Sequence, residues 1–288
     1  MQFNDPRLRR IQTLVSKASR PPAGIKRVLL AVTFGILCHT VFAAGVLAMI
    51  AAMFFGMSES IGTVPWPWAA VTNAMLVLQF PVAHSWLLTK DGGKLLSRII
   101  PGQYGATLST TTYAITASMQ LLILFVFWTP TGIVWWRAEG VLFWIICSLY
   151  CGSWLLLAKA SFDAGAEVQS GALGWMSMLA NIKPVFPDMP NIGLFRHIRH
   201  PIYAAFTLTL WTVPVWTPDQ LALALSLSLY CLLAPVLKER RFSLRYREKF
   251  HDYRSNVPYF LPRITLQKRK RRNATSDSSK AIKESQNA

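Results

Sequence analysis

Five stretches of this sequence, residues 28–55, 66–88, 107–128, 141–160 and 202–237, are apolar over at least the ~20 residues that a helix needs to cross a bilayer. Hydrocarbon offers no partner to a backbone N–H or C=O, so spanning segments are restricted to helices or a closed barrel. Runs this long, without polar alternation, are helical. Composition agrees: 52% of residues are hydrophobic and only 15% charged, against about 25% charged in a soluble domain. The expected fold class is an all-α polytopic membrane protein. The first run is too long for the apolar core of a cleaved signal peptide and is read as a span. The net charge of +17 sits mainly near the chain ends. Membrane topology and attraction to anionic headgroups account for it, so the bilayer is the expected partner and nucleic acid is not.

Charges between the runs set the orientation. The 56–65 loop carries Glu59 and neither Lys nor Arg, so it is read as outside; the 89–105 loop carries Lys90, Lys94 and Arg98 against Asp91 and is read as inside. Residues 1–27 form a basic amphipathic segment. Asp5 can cap a helix with Pro6 in its first turn, and Leu8, Ile11 and Val15 share one face. That pattern suits a helix lying on the cytoplasmic surface, the alternative being a disordered basic tail. Four transmembrane helices are expected in 28–160, a catalytic region in 161–262, and a basic disordered tail in 263–288, where Lys268 to Arg272 suit contact with anionic lipid. Cys38, Cys147, Cys151 and Cys231 lie inside apolar runs without metal-site spacing, are read as small buried residues, and no metal is expected. His39, in mid-span, is either a functional group or a histidine hydrogen-bonded between helices.

The last apolar run is too long for one ordinary span. Val213-Pro214-Val215-Trp216-Thr217-Pro218-Asp219 interrupts it, and prolines with an aspartate at that place predict a tight turn. The reading is a C-terminal helical hairpin over 203–212 and 218–237, its first arm short for a full crossing. The hairpin puts both termini on the inner side, as their basic character demands. It also puts Trp66, Trp68, Trp128, Trp135, Trp136 and Trp216 at the outer interface, as an aromatic belt would. The expected location is a bacterial inner membrane with both termini cytosolic.

Two polar clusters bracket that hairpin: Arg199-His200-Pro201-Ile202-Tyr203 before it, and Lys238-Glu239-Arg240-Arg241-Phe242 after it. Tyr253 and the ending Val257-Pro258…Leu261-Pro262 follow. In these residues the chain resembles the isoprenylcysteine carboxyl methyltransferase superfamily, integral-membrane enzymes that use S-adenosyl-L-methionine. His84-Ser85, Phe162-Asp163 and Trp211…Pro214…Thr217 are similar to the bacterial methanethiol S-methyltransferase and NnrU-like branch. The resemblance implies a cofactor pocket at the cytosolic membrane face. Carried over by position, Arg199, His200, Pro201, Tyr203, Glu239, Arg240 and Tyr253 would bind the cofactor.

The chemistry of these side chains suits those roles. Glu239 can pair with the cofactor's ammonium group or a ribose hydroxyl. Arg199 or Arg240 can grip its carboxylate bidentately. Pro201 fixes the backbone, and His200 can donate to the cofactor or stack near adenine. Arg199 and Arg240 read equally well as headgroup anchors, and Glu239 has the alternative of a surface salt bridge. Methyl transfer from a sulfonium asks the protein mainly for alignment and desolvation. A thiol acceptor must lose its proton. His84 is the first choice to take it and His200 the second; the alternative for His84 is a packing histidine bonded to a carbonyl freed by Pro81.

The chain departs from the family pattern in three places. Ala205 stands where many members have Gly, Lys238 where many have a second Glu, and the Glu-Arg-Ser of the methanethiol branch is missing around Gly102-Gln103-Tyr104-Gly105. The acceptor is therefore open. S-methylation of a small or lipophilic thiol leads, with carboxyl methylation of isoprenylcysteine, N-methylation of a phospholipid amine and a non-catalytic NnrU-like membrane factor as the other readings.

Overall fold

The computed structural model describes residues 5–100 and 102–262, so the Lys268–Arg272 tail lies outside the described residues. Among them the chain forms helices α1 (Pro6–Ala18), α2 (Ile25–Phe54), α3 (Trp68–Leu87), α4 (Lys90–Ile99), α5 (Gly105–Phe127), α6 (Gly140–Gln169), α7 (Ala172–Leu179), α8 (Pro201–Trp211), α9 (Pro218–Tyr246) and α10 (Glu248–Asn256). A two-residue ladder joins β1 (Trp136–Arg137) to β2 (Val215–Trp216), antiparallel. Helices α2, α5, α6 and α9 are long and apolar enough to cross a membrane. α3 joins them if its 93° bend into α4 is counted within one crossing. The protein is a multi-pass, all-α membrane protein with a C-terminal helical fold-back.

The core forms where α2, α5 and α9 meet, around Met53, Leu124, Phe125, Leu223 and Leu227. Outward faces of α6 and α9 leave Trp144, Ile145, Leu155, Leu229 and Leu233 exposed. Apolar rows of this extent need a non-aqueous neighbour, and the bilayer supplies it. Half-buried amides stitch the spans together: Gln79 Nε2 on α3 donates to Gln120 O on α5 (2.9 Å), and Gln120 Nε2 returns a bond to Gln79 O (3.2 Å). Such pairing satisfies groups that hydrocarbon cannot.

Several elements differ from expectation. The inner loop after α3 is largely helical: Thr89 caps α4 by accepting from Gly92 N at 3.2 Å, and Leu96 buries its apolar face. α1 does form behind Asp5 and Pro6, but it is docked rather than merely adsorbed. Leu14 and Ala18 are buried, and Arg7 and Arg10 pair with Asp163 and Glu167 on α6. Cys38 and Cys231 are buried as expected; Cys147 is half-exposed and Cys151 exposed, on the outward side of α6. His39 accepts from Trp175 Nε1 on α7 at 3.2 Å, the inter-helix reading.

The connection between α8 and α9 is not a tight turn. Trp211 Nε1 reaches Ser228 Oγ (2.9 Å), so α8 ends level with Ser228, eleven residues or about 16 Å of helix short of Thr217. Residues 212–217 cover that distance extended, at about 3.3 Å per residue. An extended backbone at membrane depth must be paired with protein. Here Trp135 N donates to Trp216 O (2.9 Å), Ala138 N to Pro214 O (2.8 Å) and Thr217 Oγ1 to Gly56 O (2.5 Å). The tryptophans named above do lie at this one end of the bundle, except that Trp128 is buried and belongs to the core.

Candidate active site

α8 and α9 run back together so that residues on either side of the fold-back touch. Pro201 opens α8 at its first position, where a missing N–H costs nothing. His200 is the residue just before, buried at 2% exposure. Across from it, the carboxylate of Glu239 on α9 accepts at Oε1 from Arg199 Nε (2.7 Å) and from His200 Nε2 (2.8 Å), with Arg254 Nε 3.7 Å from Oε2.

Because an ionised carboxylate only accepts, His200 Nε2 must carry the proton. Burial outweighs the pull of Glu239 and pushes the imidazole down to about 4, so the ring is neutral near pH 7. Its Nδ1 is then a bare acceptor, buried and without a hydrogen-bond partner among the described residues. Of the two sequence readings for His200, donating to the cofactor or stacking near adenine, the first is not available to a ring whose Nε2–H is given to Glu239, which leaves Nδ1 as an accepting atom.

Arg199 is heavily engaged. Besides Glu239 it donates from Nη1 to Arg254 O (3.0 Å) and Val257 O (2.5 Å), and its backbone N–H bonds Pro258 O (2.9 Å). The ring of Tyr259 lies 5.4 Å from its guanidinium carbon and 4.6 Å from the His200 ring. Arg199 therefore clamps the C-terminal segment over the cluster. Tyr253 does related work, its hydroxyl donating to Phe195 O (2.6 Å).

The turn preceding His200 is anchored from α6: Asp163, buried, accepts from Leu194 N (2.8 Å) and Lys159 Nζ (2.6 Å) and pairs with Arg7. Gly193 there has φ +63°, and a Cβ on it would sit 2.2 Å from Asp163 Oδ2. Only glycine meets both conditions.

The remaining expected residues divide. Tyr203 lies one turn into α8, its ring 6.0 Å from that of His200. Arg240 is exposed, and among the described residues no ion pair joins it to Glu239; one residue further along a helix is 100° away, so Arg240 and Glu239 cannot share a face. Lys238 points into an aromatic cage, its Nζ 5.3 Å from the rings of Phe195 and Phe242 and 6.0 Å from that of Tyr203. A second glutamate there would meet the negative faces of those rings, so this chain's cage is built for the cation.

His84 makes a separate group. The Tyr113 hydroxyl lies 2.8 Å from its Nε2 and 3.1 Å from its Nδ1. Neighbouring Ser85 Oγ lies 3.4 Å from the Tyr230 hydroxyl. Among the described residues no bond joins His84 to a carbonyl freed by Pro81. The Phe80 ring lies 4.9 Å from that of His84 and 6.0 Å from that of Tyr230 and joins the two pairs, and the charge of Arg241 acts on His84, Tyr113, Tyr203 and Tyr230. Arg241, Arg254 and Tyr259 were not among the expected site residues. Arg241 was within reach of helical phase, since eleven residues from Tyr230 is about three turns. Arg254 and Tyr259 join the site only through the tertiary return of the C-terminal segment.

The donor set matches the parts of S-adenosyl-L-methionine: a carboxylate for an ammonium or ribose hydroxyl, an orphaned buried acceptor for a second donor, and a guanidinium for a carboxylate. The cavity lined by Arg199, His200, Lys238, Glu239 and Tyr253 holds only about 10 Å³, the space of a single water.

No family model and no solved structure matches the chain. Among curated proteins, methanethiol S-methyltransferase of Pseudomonas deceptionensis is 27% identical over 213 residues, covering 73% of this chain and 80% of that protein. The Mycobacterium tuberculosis protein of the same name is 27% identical over 207 residues, covering 67% and 78%. Nurim of Rattus norvegicus is 33% identical over 181 residues, covering 59% and 66%. Fold and relatives together define a multi-pass membrane methyltransferase. The chain belongs to the isoprenylcysteine carboxyl methyltransferase superfamily, in the branch of the methanethiol S-methyltransferases and NnrU-like proteins.

Proposed function

We propose that this protein transfers a methyl group from S-adenosyl-L-methionine to a thiol, at the membrane face where α8 begins and α9 ends. The observation that carries the reading is the Glu239 carboxylate held by Arg199 and His200 across the fold-back, with His200 Nδ1 left as a buried, unpaired acceptor. Glu239 takes the donor's ammonium or ribose hydroxyl and His200 Nδ1 accepts a further hydrogen bond. Arg199 turns from the C-terminal backbone to the donor's carboxylate. The present cavity is far too small for the donor, so the segment over 253–262 must lift, and the Arg199 bonds to residues 254, 257 and 258 are the latch. The basic α1 and α4 lie at this end, which supports a cytosolic face with both chain ends inside.

The bound donor supplies an electrophilic methyl carbon on its sulfonium. The chain's own residues prepare the acceptor. His84, directly or through Tyr113, takes the thiol proton, and Arg241 stabilises the thiolate. The new S–CH₃ bond forms as the sulfonium's S–CH₃ bond breaks, and the proton stays on His84. His200 does not compete, because its Nε2–H is given to Glu239 and its Nδ1 is assigned to the donor. The methanethiol named in the bacterial relatives supports a small thiol as acceptor.

The test is titration of the purified full chain with S-adenosylhomocysteine, followed by labelled methyl donor offered to small thiols, an isoprenylcysteine and phosphatidylethanolamine. Binding and transfer to the thiols are expected. Absence of binding would favour the non-catalytic reading, and transfer to either other acceptor alone would replace the thiol.

A further inference from the structure

A second cavity, of about 370 Å³, lies beneath α1 and shares no lining residue with the His200 cavity. That volume falls in the range of organic-ligand sites. Its walls are of two kinds. The α1 cations Arg9 and Lys17 line it, and so do Leu14 and Leu173, which are apolar and buried. Among the described residues, two buried polar atoms in its lining have no partner. Glu167, its side chain 3% exposed, gives Oε1 to Arg10 but leaves Oε2 unbonded, and the fully buried Ser177 Oγ is also unbonded. Val185, also in the lining, is 66% exposed, and the adjacent Phe186 47%.

These features specify a ligand. Unpaired buried polar atoms cost free energy until something bonds them. A simple anion would suit Arg9 and Lys17 but would meet the Glu167 carboxylate as a like charge. Glu167 Oε2 calls for a hydrogen-bond donor close to that anion. An apolar wall with exposed Val185 and Phe186 alongside calls for an acyl-bearing molecule. We propose that this cavity binds one membrane phospholipid by its headgroup. The phosphate lies against Arg9, Lys17 and the Ser177 hydroxyl. An ammonium or glycerol hydroxyl of the headgroup donates to Glu167 Oε2, and the glycerol backbone lies along Leu14 and Leu173. The bound lipid bridges α1 to α7. The site stands independently of the methyl-transfer reading.

The test is native mass spectrometry of the full chain released from detergent after addition of dioleoyl-phosphatidylethanolamine, -phosphatidylglycerol or -phosphatidylcholine. One molecule of the first or second is expected to stay bound. Phosphatidylcholine, with the same phosphate but no headgroup donor, is expected to be retained about fivefold less, as are the preferred lipids by Lys17→Gln and by Ser177→Ala. Lys17 is exposed, so its substitution leaves folding intact. Equal retention of all three lipids, indifference to both substitutions, or displacement by millimolar inorganic phosphate would each overturn the proposal.

Discussion

Each end of the bundle buries one carboxylate on α9, and the two are held in opposite ways. Asp219, in the first turn, is satisfied by neutral donors: Trp128 Nε1 (2.9 Å), Thr131 N (2.9 Å) and Thr131 Oγ1 (2.5 Å). The helix N-terminus adds its favourable dipole. Glu239, 20 residues on, is held by the Arg199 guanidinium and the neutral His200 ring, whose other nitrogen has no partner among the described residues, under a segment clamped by a few bonds. A carboxylate enclosed by fixed neutral donors is a structural tie. One held by a guanidinium that can swing away, next to an orphaned acceptor, is a place where a ligand can enter.

The contrast is broken most forcefully at Glu239. Glu239→Ala is expected to cost about 4 kcal/mol of transition-state binding, roughly a thousandfold in kcat/KM for the methyl donor, read in a labelled-methyl assay. Acidification comes next. With His200 pushed down to about 4 in the folded protein and near 6.5 unfolded, the unfolded chain holds the extra proton between those values. Stability is therefore present in full above pH 6.5 and falls by about 3 kcal/mol as pH drops to 4. His200→Asn should flatten that slope in thermal melts. His84→Ala should lower kcat about a hundredfold while leaving S-adenosylhomocysteine affinity unchanged; equal loss of both would make His84 a packing residue. Asp219→Ala should cost about 2 kcal/mol of stability by stranding Trp128 Nε1 and Thr131 N, again with donor affinity unchanged. Smallest of all, Arg240→Ala should alter donor affinity by less than about 0.5 kcal/mol.

What was legible in the sequence follows the same division. Spans were readable because hydrocarbon forces each backbone to satisfy itself, which leaves long apolar runs on the page. The approach of Glu239 to His200 was readable because an over-long run broken at Pro214 and Pro218 has to turn back. The form of that return was not, since the pairing of Val215–Trp216 with Trp136–Arg137 is a contact between distant loops. The docking of α1 was hidden for a similar reason: its partners Asp163 and Glu167 look like surface acids until α6 is seen to continue, across a kink at Gly165, to Gln169. Arg240 misled because position in a motif ignores helical phase, whereas the phase of Tyr230, eleven residues earlier, points to Arg241.

The central claim is that the Arg199–His200–Glu239 cluster is the seat of the methyl donor. Calorimetric titration of S-adenosylhomocysteine into the full chain in nanodiscs, beside Glu239→Gln and Asp219→Asn, tests it most directly. The account predicts saturable binding to the unaltered protein and to Asp219→Asn, and at least about tenfold weaker binding to Glu239→Gln. Equal affinity of Glu239→Gln and the unaltered protein would contradict it.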